Sequence, residues 1–368
     1  MKNTFGNSIT LTIFGESHGE GIGVVADGLC SGLPVDEAEI ARLLSRRRPS
    51  GADATARREP DDFRIVSGVY NGKTTGTPLC ILIPNVDRRS GDYKAMAGVA
   101  RPSHADFAAH CRYGGFEDAR GGGHFSGRLT AALVAAGGIF LPALGALGIK
   151  LGTHIKTCAD VSDREFSDIS ADIAALAESD FPALDAARGE EMVAAVLAAK
   201  ADRDSVGGVT ETAVTGMPAG VGEPWFDSVE GQLSHALFSL GGVKGIEFGA
   251  GFALAGMRGS EANDPFAVRG GRIVTLKNNS GGVNGGITNG MPIVFRCAVK
   301  PTPSIGRAQA SVSYTKKKET VLEIPGRHDP AIVRRICPVI DAVTAFVLCD
   351  MLAVRYGGDI FTRGREAF

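Results

Sequence analysis

Ile9-Thr10-Leu11-Thr12-Ile13-Phe14-Gly15-Glu16-Ser17-His18-Gly19-Glu20-Gly21-Ile22-Gly23-Val24-Val25-Ala26-Asp27-Gly28 is the stretch on which the reading of the fold turns. Residues 9–14 alternate and are rich in β-branched side chains, the pattern of a strand. Residues 22–28 read as a second strand. A short Gly-rich turn separates them, so they form one adjacent pair. The turn carries Ser17 and His18. Glycine lets the backbone bend sharply or approach a ligand closely, and histidine is the side chain whose unperturbed pKa lies nearest neutrality. Two readings stand at this point: an incidental surface histidine on a turn, or a proton-handling site.

The rest of the chain repeats the architectural theme. Residues 63–70 and 78–84 read as two strands joined by the turn-like Asn71 to Thr77. Further strands are expected at Val206–Met217, Val243–Phe248 and Met291–Val299, with helices grouped between the pairs. That arrangement favours a mixed or antiparallel α+β fold over a strictly alternating βαβ sheet. The first helix starts at Asp36, an N-cap with Glu39 three residues on, and carries Ile40, Leu43 and Leu44 on one face. It must stop before Pro49. Residues 160–204 are rich in Ala and acids and read as covering helices. Asp227 with Glu230 reads as the cap of a helix reaching about Leu240, and Asp329 with Pro330 as the start of a last long helix that Pro338 kinks and Gly357-Gly358 ends.

Composition sets limits on function. The chain has 368 residues, 44% of them apolar and 22% charged, as expected of a globular protein. No linker, short-period repeat or break in composition divides it, so one large domain over residues 1–368 is expected. A net charge of -2 argues against general nucleic-acid affinity and confines basic sites to local clusters. The seven cysteines are scattered without a CxxC pair, which fits reduced thiols in a cytosol rather than a disulfide framework or a zinc site. The first residues lack the apolar run of a signal peptide. Leu129 to Ile149 holds no charged residue and is long enough to span a bilayer, but its Ala, Gly and Pro142 point to a buried core helix that kinks or ends near the proline.

Glycine makes up 50 residues, about twice its usual share. Many sit in clusters beside polar residues, a pattern of ligand-approach loops. Arg46-Arg47-Arg48 at a helix end can be simple dipole capping or an anion site, since guanidinium grips phosphate and carboxylate bidentately; Arg57-Arg58 adds to the local charge. Gly121-Gly122-Gly123 runs toward the apolar helix as a candidate anion cradle. It matches neither the GxxxxGK[ST] nor the GxGxxG order of the nucleotide folds. Asn278 to Gly290 and Lys300 to Ile305 are polar loops beyond structural need.

These stretches, in this order, resemble the chorismate synthase family. The motifs are GESHGEGIGVVADGLCSGLPVD from Gly15, RRRPSG from Arg46, RREPDD from Arg57, SGVYNGKTTGTPL from Ser67, NVDRRSGDY from Asn85, RPSHADF from Arg101 and RYGGFEDARGGG from Arg112. VKGIEFGAGF, NNSGGVNGGITNGMPI, KPTPSI and GRHDPAI follow. The resemblance covers almost the whole chain apart from residues 150–205 and the last few. It implies a β-α-β sandwich of antiparallel sheets packed on helices, a homotetramer, and the anti-1,4-elimination of phosphate from 5-enolpyruvylshikimate 3-phosphate to give chorismate. It also implies reduced FMN, required without net redox change.

Residue roles follow from the same resemblance. His18 would protonate or hold the reduced flavin and His104 would assist phosphate departure. Asp329 would act with the flavin N5 in removing the C6 proton, while Ser17 and Ser126 relay or position. The substrate's two carboxylates and phosphate call for clustered cations, and Arg46, Arg47, Arg48, Arg101 and Arg128 supply them. FMN would be held by His124, Phe125, Ser126, Gly241, Gly242, Gly285, the run Lys300, Pro301, Thr302, Pro303, Ser304, and Arg327. Three departures from the family pattern stand out. His124-Phe125 replace the usual Arg-Ser, so a weaker, pH-dependent donor stands where a fixed cation is usual. The stretch after Arg48 is shorter than in many relatives. Asp341 stands where glutamate is usual. Two alternatives to the lyase are a flavin oxidoreductase, or a bifunctional enzyme that also reduces its own flavin with NADPH, and a catalytically dead anion-binding or interaction protein. The absence of a dinucleotide fingerprint favours a monofunctional enzyme supplied by an outside reductant in the cytoplasm.

Overall fold

A computed structural model describes residues 2–49, 51, 60–86, 98–324, 329–364 and 368. Arg57, Arg58 and Arg327 lie outside the described residues. The opening stretch folds as expected. Strands β1 (Thr4–Phe5), β2 (Thr10–Gly15) and β3 (Gly21–Asp27) are joined by β4 (Arg64–Ser67) and β5 (Leu79–Pro84) in one antiparallel sheet of order β1-β2-β3-β5-β4. A second antiparallel sheet is built from β6 (Lys150–Cys158), β7 (Val161–Ser162), β8 (Gly208–Thr215), β9 (Val243–Phe248) and β10 (Ile293–Val299), in the order β9-β10-β8-β6-β7.

Between the sheets lie α1 (Glu37–Arg47), α3 (Thr130–Ala146) and α7 (Val333–Tyr356), with α2 (Asp106–Tyr113), α4 (Ile169–Glu178), α5 (Ala186–Ala201) and α6 (Val229–Phe238) outside that layer. Helix α3 packs on β3 and β5 of the first sheet, and α7 on β6 and β8 of the second. The architecture is therefore a mixed α+β sandwich with helices between antiparallel sheets. The glycines of α3 explain how three helices fit in one layer. A Cβ at Gly137 would meet the Ala342 backbone at 3.0 Å, and one at Gly138 the Ile40 backbone at 2.9 Å. Only glycine allows α1 and α7 to cross α3 so closely. Both α3 and α7 are apolar enough to cross a membrane by composition, yet both are packed inside the protein. Each runs through its proline, α3 past Pro142 and α7 past Pro338, because neighbours on both sides hold the helix.

The last helix also anchors the first strands. The buried carboxylate of Asp350 accepts backbone N–H groups from Asn7 at 2.9 Å, Ser8 at 2.7 Å and Ile9 at 2.8 Å. Three capping expectations need revision. Asp36 caps α1 through Ala38 N, but Glu39 turns to Arg42 instead of closing a capping box. Helix α6 is capped by Ser228, whose hydroxyl accepts from Gly231 N, while Asp227 accepts from the Gln232 amide. Helix α7 starts at Val333, so Asp329 and Pro330 precede it.

Candidate functional site

The β2–β3 turn places His18 almost fully buried, 3% exposed. The Ser17 hydroxyl lies 3.1 Å from His18 Nδ1 and donates to the Arg120 carbonyl, and Ser17 N donates to Gly123 O at 3.1 Å. The turn is held from below by Asn85 at the end of β5. Its amide donates to Glu16 O at 2.9 Å and Gly19 O at 3.1 Å, and its own carbonyl accepts from Arg128 Nε at 3.1 Å. Asn85 thus couples the histidine turn to an arginine.

The three glycines are not a helix N-terminus. They form a tight turn with φ of 62°, 102° and 54°, and the cap of the following helical turn is Ser126, whose hydroxyl accepts from Arg128 N. Their role is close approach. A Cβ at Gly121 would land on the His18 ring, and one at Gly122 would lie 3.3 Å from Cε1 and 3.4 Å from Nε2 of His104. The triple glycine therefore brings both predicted histidines to one short stretch of backbone.

His104 belongs to a charged group on the loop before α2. Arg101 holds Asp106 bidentately, through Nη2 at 2.7 Å and Nε at 2.8 Å, and His104 Nδ1 lies 2.8 Å from the same Asp106 Oδ1. A carboxylate only accepts, so Nδ1 carries the proton and donates; the 3.1 Å approach of Arg101 Nη2 to Nδ1 follows from two donors converging on one oxygen. Nε2 is then the nitrogen left for chemistry. Burial of Asp106 would raise its pKa, but the hydrogen bonds from Arg101 and His104 outweigh that and hold it well below the usual carboxylate range. Asp106 in turn fixes the tautomer and orientation of the His104 ring.

The arginines divide. Arg128 and Arg47 are buried, 8% and 2% exposed, and both pair with Asp61, Arg47 Nη2 at 3.3 Å from Oδ2; Arg48 Nε lies 3.6 Å from the same oxygen. Arg335 donates to the Arg47 carbonyl at 3.1 Å and pairs with Asp329. Asp329 is therefore tied to the cradle through Arg335 instead of capping α7. Arg46 turns the other way and donates to Leu176 O at 3.0 Å, on the side of α4. One residue along a helix rotates a side chain by about 100°, so three consecutive arginines cannot share one face.

The Lys300 loop joins the His104 group: Lys300 Nζ donates to Ser103 O at 2.6 Å, and its backbone N–H donates to Gly242 O at 2.9 Å. Burial and the Lys244 ammonium push the Lys300 amine below its usual pKa. Beside it, the Thr302 hydroxyl is buried with no hydrogen-bond partner among the described residues, and Ser205 donates to Thr302 O. His124 Nδ1 donates to Gly15 O at 2.8 Å. A cavity of about 350 Å³ opens on the other side of the His104 group, lined among others by His104, Asp106, Tyr113, His124, Phe125 and Tyr314 but by neither Lys300 nor Thr302. That size suits a small organic ligand. An orphaned hydroxyl beside a lysine on the Lys300 loop suits a phosphate, and the aromatic walls of the cavity suit a flat ring, so the residues present fit a flavin phosphate and its ring separately. Gly285 sits on a hairpin, Val283–Asn284 with Ile287–Thr288, whose described contacts run to Ser228 and Val221, not to the Lys300 loop.

Sequence reasoning singled out neither Asn85, Asp61, Arg335 nor Asp106. Asp61 and Asp106 stood inside quoted motifs next to basic residues, and that adjacency of opposite charges was the available signal. Asn85 opens another quoted motif but carries no charge to mark it, and Arg335 gave no signal; the partners of both lie far away in sequence.

A family model described as chorismate synthase matches residues 9–353. The chorismate synthase of Methanocella arvoryzae is 45% identical over 353 residues, 95% of this chain and 94% of the relative. That of Pyrococcus abyssi is 43% identical over 351 residues, covering 95% and 97%. A solved structure titled "Crystal Structure of Chorismate Synthase" superposes with a TM-score of 0.76 at 28% identity, covering 96% of this chain and 94% of that one. With its histidine turn, glycine turn and arginine cradle assembled in that fold, the chain belongs to the chorismate synthase family.

Proposed function

We propose that the cluster around the triple-glycine turn is where the chain performs its family's reaction, the anti-1,4-elimination of phosphate from 5-enolpyruvylshikimate 3-phosphate to give chorismate. The observation that carries this is the meeting of His18 and His104 on Gly121 and Gly122, with Arg128 linked to the His18 turn through Asn85. In the reaction the C6–H bond breaks and its electron pair forms a double bond from C6 to C1, the existing C1–C2 π pair moves to C2–C3, and the C3–O pair leaves with phosphate.

Charge develops on the leaving phosphate, so fixed cations lower the barrier there. Arg47, Arg48 and Arg128 form one such cradle, and each close guanidinium–anion contact is worth about 4 kcal/mol of Coulomb energy at intermediate dielectric before desolvation. His104, its Nδ1 proton held by Asp106, presents Nε2 as the donor to the departing oxygen. Asp329, oriented by Arg335, is the carboxylate assigned to the C6 proton. His18, steadied by Ser17, would hold a proton toward the bound cofactor. Reduced FMN, the family's cofactor, would supply electron density to the allylic system when bound. Lys300 and Thr302 would hold its phosphate, with Pro301, Pro303 and Ser304 shaping their loop, Gly242 tied to it and Gly241 beside it; His124 and Phe125 would wall the ring, and Ser126 caps the turn next to it.

We read the chain as one domain that assembles as a homotetramer. The exposed Phe266, Val268 and Ile273, on one face of the ribbon Phe266–Arg269 with Arg272–Thr275, support association with further copies; the Gly285 hairpin and Arg327 would join the flavin site in that context. Seven free cysteines support a cytoplasmic location, and the missing dinucleotide fingerprint supports an outside flavin reductant. The deciding experiment is phosphate release from the substrate under anaerobic conditions with reduced FMN. The expected result is that the parent chain releases phosphate. His18→Ala remains folded and loses most turnover. A folded His18→Ala with near-parental rate would refute the assignment.

A further inference from the structure

Three arginines converge on Asp61 among the described residues. Its side chain is fully buried, and its two oxygens divide the work: Oδ1 pairs with Arg128, and Oδ2 takes Arg47 at 3.3 Å and Arg48 at 3.6 Å. Arg48 also donates to the carbonyl of the preceding Pro60. The backbone at Asp61 has φ 53°, the left-handed region that non-glycine residues seldom adopt and that Asp tolerates better than most. A costly backbone geometry is thus kept where it delivers a carboxylate between guanidiniums that come from two elements, the end of α1 and the turn before α3. These guanidiniums would otherwise repel one another and follow their own rotamers.

We propose that Asp61 is a positioning residue: it spaces Arg47, Arg48 and Arg128 so that their N–H groups meet the anionic groups of the substrate, and it does so by where its carboxylate sits, not by its charge alone. The inference rests on the reading of these arginines as the substrate cradle given above. Two roles predict opposite results. If Asp61 only offset positive charge, removing it would leave a more cationic cradle that binds a phosphorylated dicarboxylate more tightly. As a spacer, its loss lets the guanidiniums separate, and binding weakens.

The test compares the parent chain with Asp61→Asn and Asp61→Glu. Each is measured for KM and kcat in the anaerobic phosphate-release assay, for equilibrium binding of 5-enolpyruvylshikimate 3-phosphate by calorimetry, and for thermal unfolding. Asp61→Glu keeps the charge and moves the carboxylate by one methylene. The expected result is a KM and a dissociation constant raised about tenfold or more in both variants, with a smaller change in kcat and an unfolding midpoint for Asp61→Glu within a few degrees of the parent. Parental binding by Asp61→Glu, or binding by Asp61→Asn as tight as or tighter than the parent, overturns the proposal. If Asp61→Asn does not fold, Asp61→Glu alone decides. Failure of the parent chain itself to release phosphate would instead count against the proposed function.

Discussion

Replacing Gly121 by alanine is the sharpest mechanical test of the site. At φ 62° an alanine pays for the left-handed backbone, about 1 to 2 kcal/mol. The larger effect is steric. The new Cβ would lie 2.0 Å from Cε1 and 2.2 Å from Nδ1 of His18, so the ring must retreat by about 1.5 Å to reach an ordinary carbon–carbon contact. The ring has little room to do so, since His18 is 3% exposed and its Nδ1 is held by Ser17 at 3.1 Å. Misplacing a reacting group by 1 Å costs on the order of 100-fold in rate, about 2.7 kcal/mol of transition-state stabilisation. Gly121→Ala is therefore expected to fold with a midpoint a few degrees lower, to bind substrate with a KM near the parent's, and to lose about two orders of magnitude in kcat. Gly122→Ala gives a useful contrast, because its Cβ would meet His104 at 3.3 Å and asks the ring to yield by only a few tenths of an ångström. Its kcat should fall less. The assay is anaerobic phosphate release with reduced FMN alongside thermal unfolding by circular dichroism. A Gly121→Ala protein that is folded and within a few-fold of parental kcat would show that contact between the glycine turn and His18 does not matter for turnover.

Two further outcomes are expected. Burial pushes Asp341 in α7 up to about 6 from the usual 3.8, against the opposing pull of the Thr153 hydroxyl at 2.6 Å and of Arg46. A folded pKa above the unfolded one means that this contribution is whole below pH 4 and is lost as pH rises through 6, a loss of about 3 kcal/mol. Asp341→Asn should thus gain more in melting temperature relative to the parent at pH 8 than at pH 5; an equal difference at both pH values would contradict the account. Arg46→Ala, which removes a side chain bound to Leu176 O, should leave KM within a few-fold while Arg48→Ala raises it clearly. Steady-state kinetics on the two proteins distinguishes them, and equal effects on KM would place Arg46 back in the cradle.

Much of the scaffold could be read from local patterns. The alternation at residues 9–14, the Gly-rich turn and the second strand to Gly28 gave an adjacent pair, and β2 and β3 are that pair, antiparallel, with β3 ending at Asp27. Asp36 announced α1, and the uncharged run from Leu129 announced a buried helix. These features depend on backbone propensities and on which face is apolar, and both are written within a few residues. The ordered motifs also carried the family, whose chemistry accounts for the histidines, the arginines and the polar loops.

The partners of those residues were decided over long distances. Arg46, Arg47 and Arg48 are chemically alike and adjacent, yet the packing of α1 on α3 sends Arg47 and Arg48 to Asp61 and Arg46 toward α4. Asp329 looked like a helix cap because its neighbours suit one; pairing with Arg335 uses the carboxylate differently, and the helix starts later. Asn85 ties His18 to Arg128 only because β5 lies beside β3. The opening turn was legible as a place for Ser17 and His18, while the glycine turn that presses on it comes from about a hundred residues downstream. Local sequence records what each segment prefers to be, whereas contacts between distant segments depend on how their apolar faces are buried together, and that balance belongs to the whole chain.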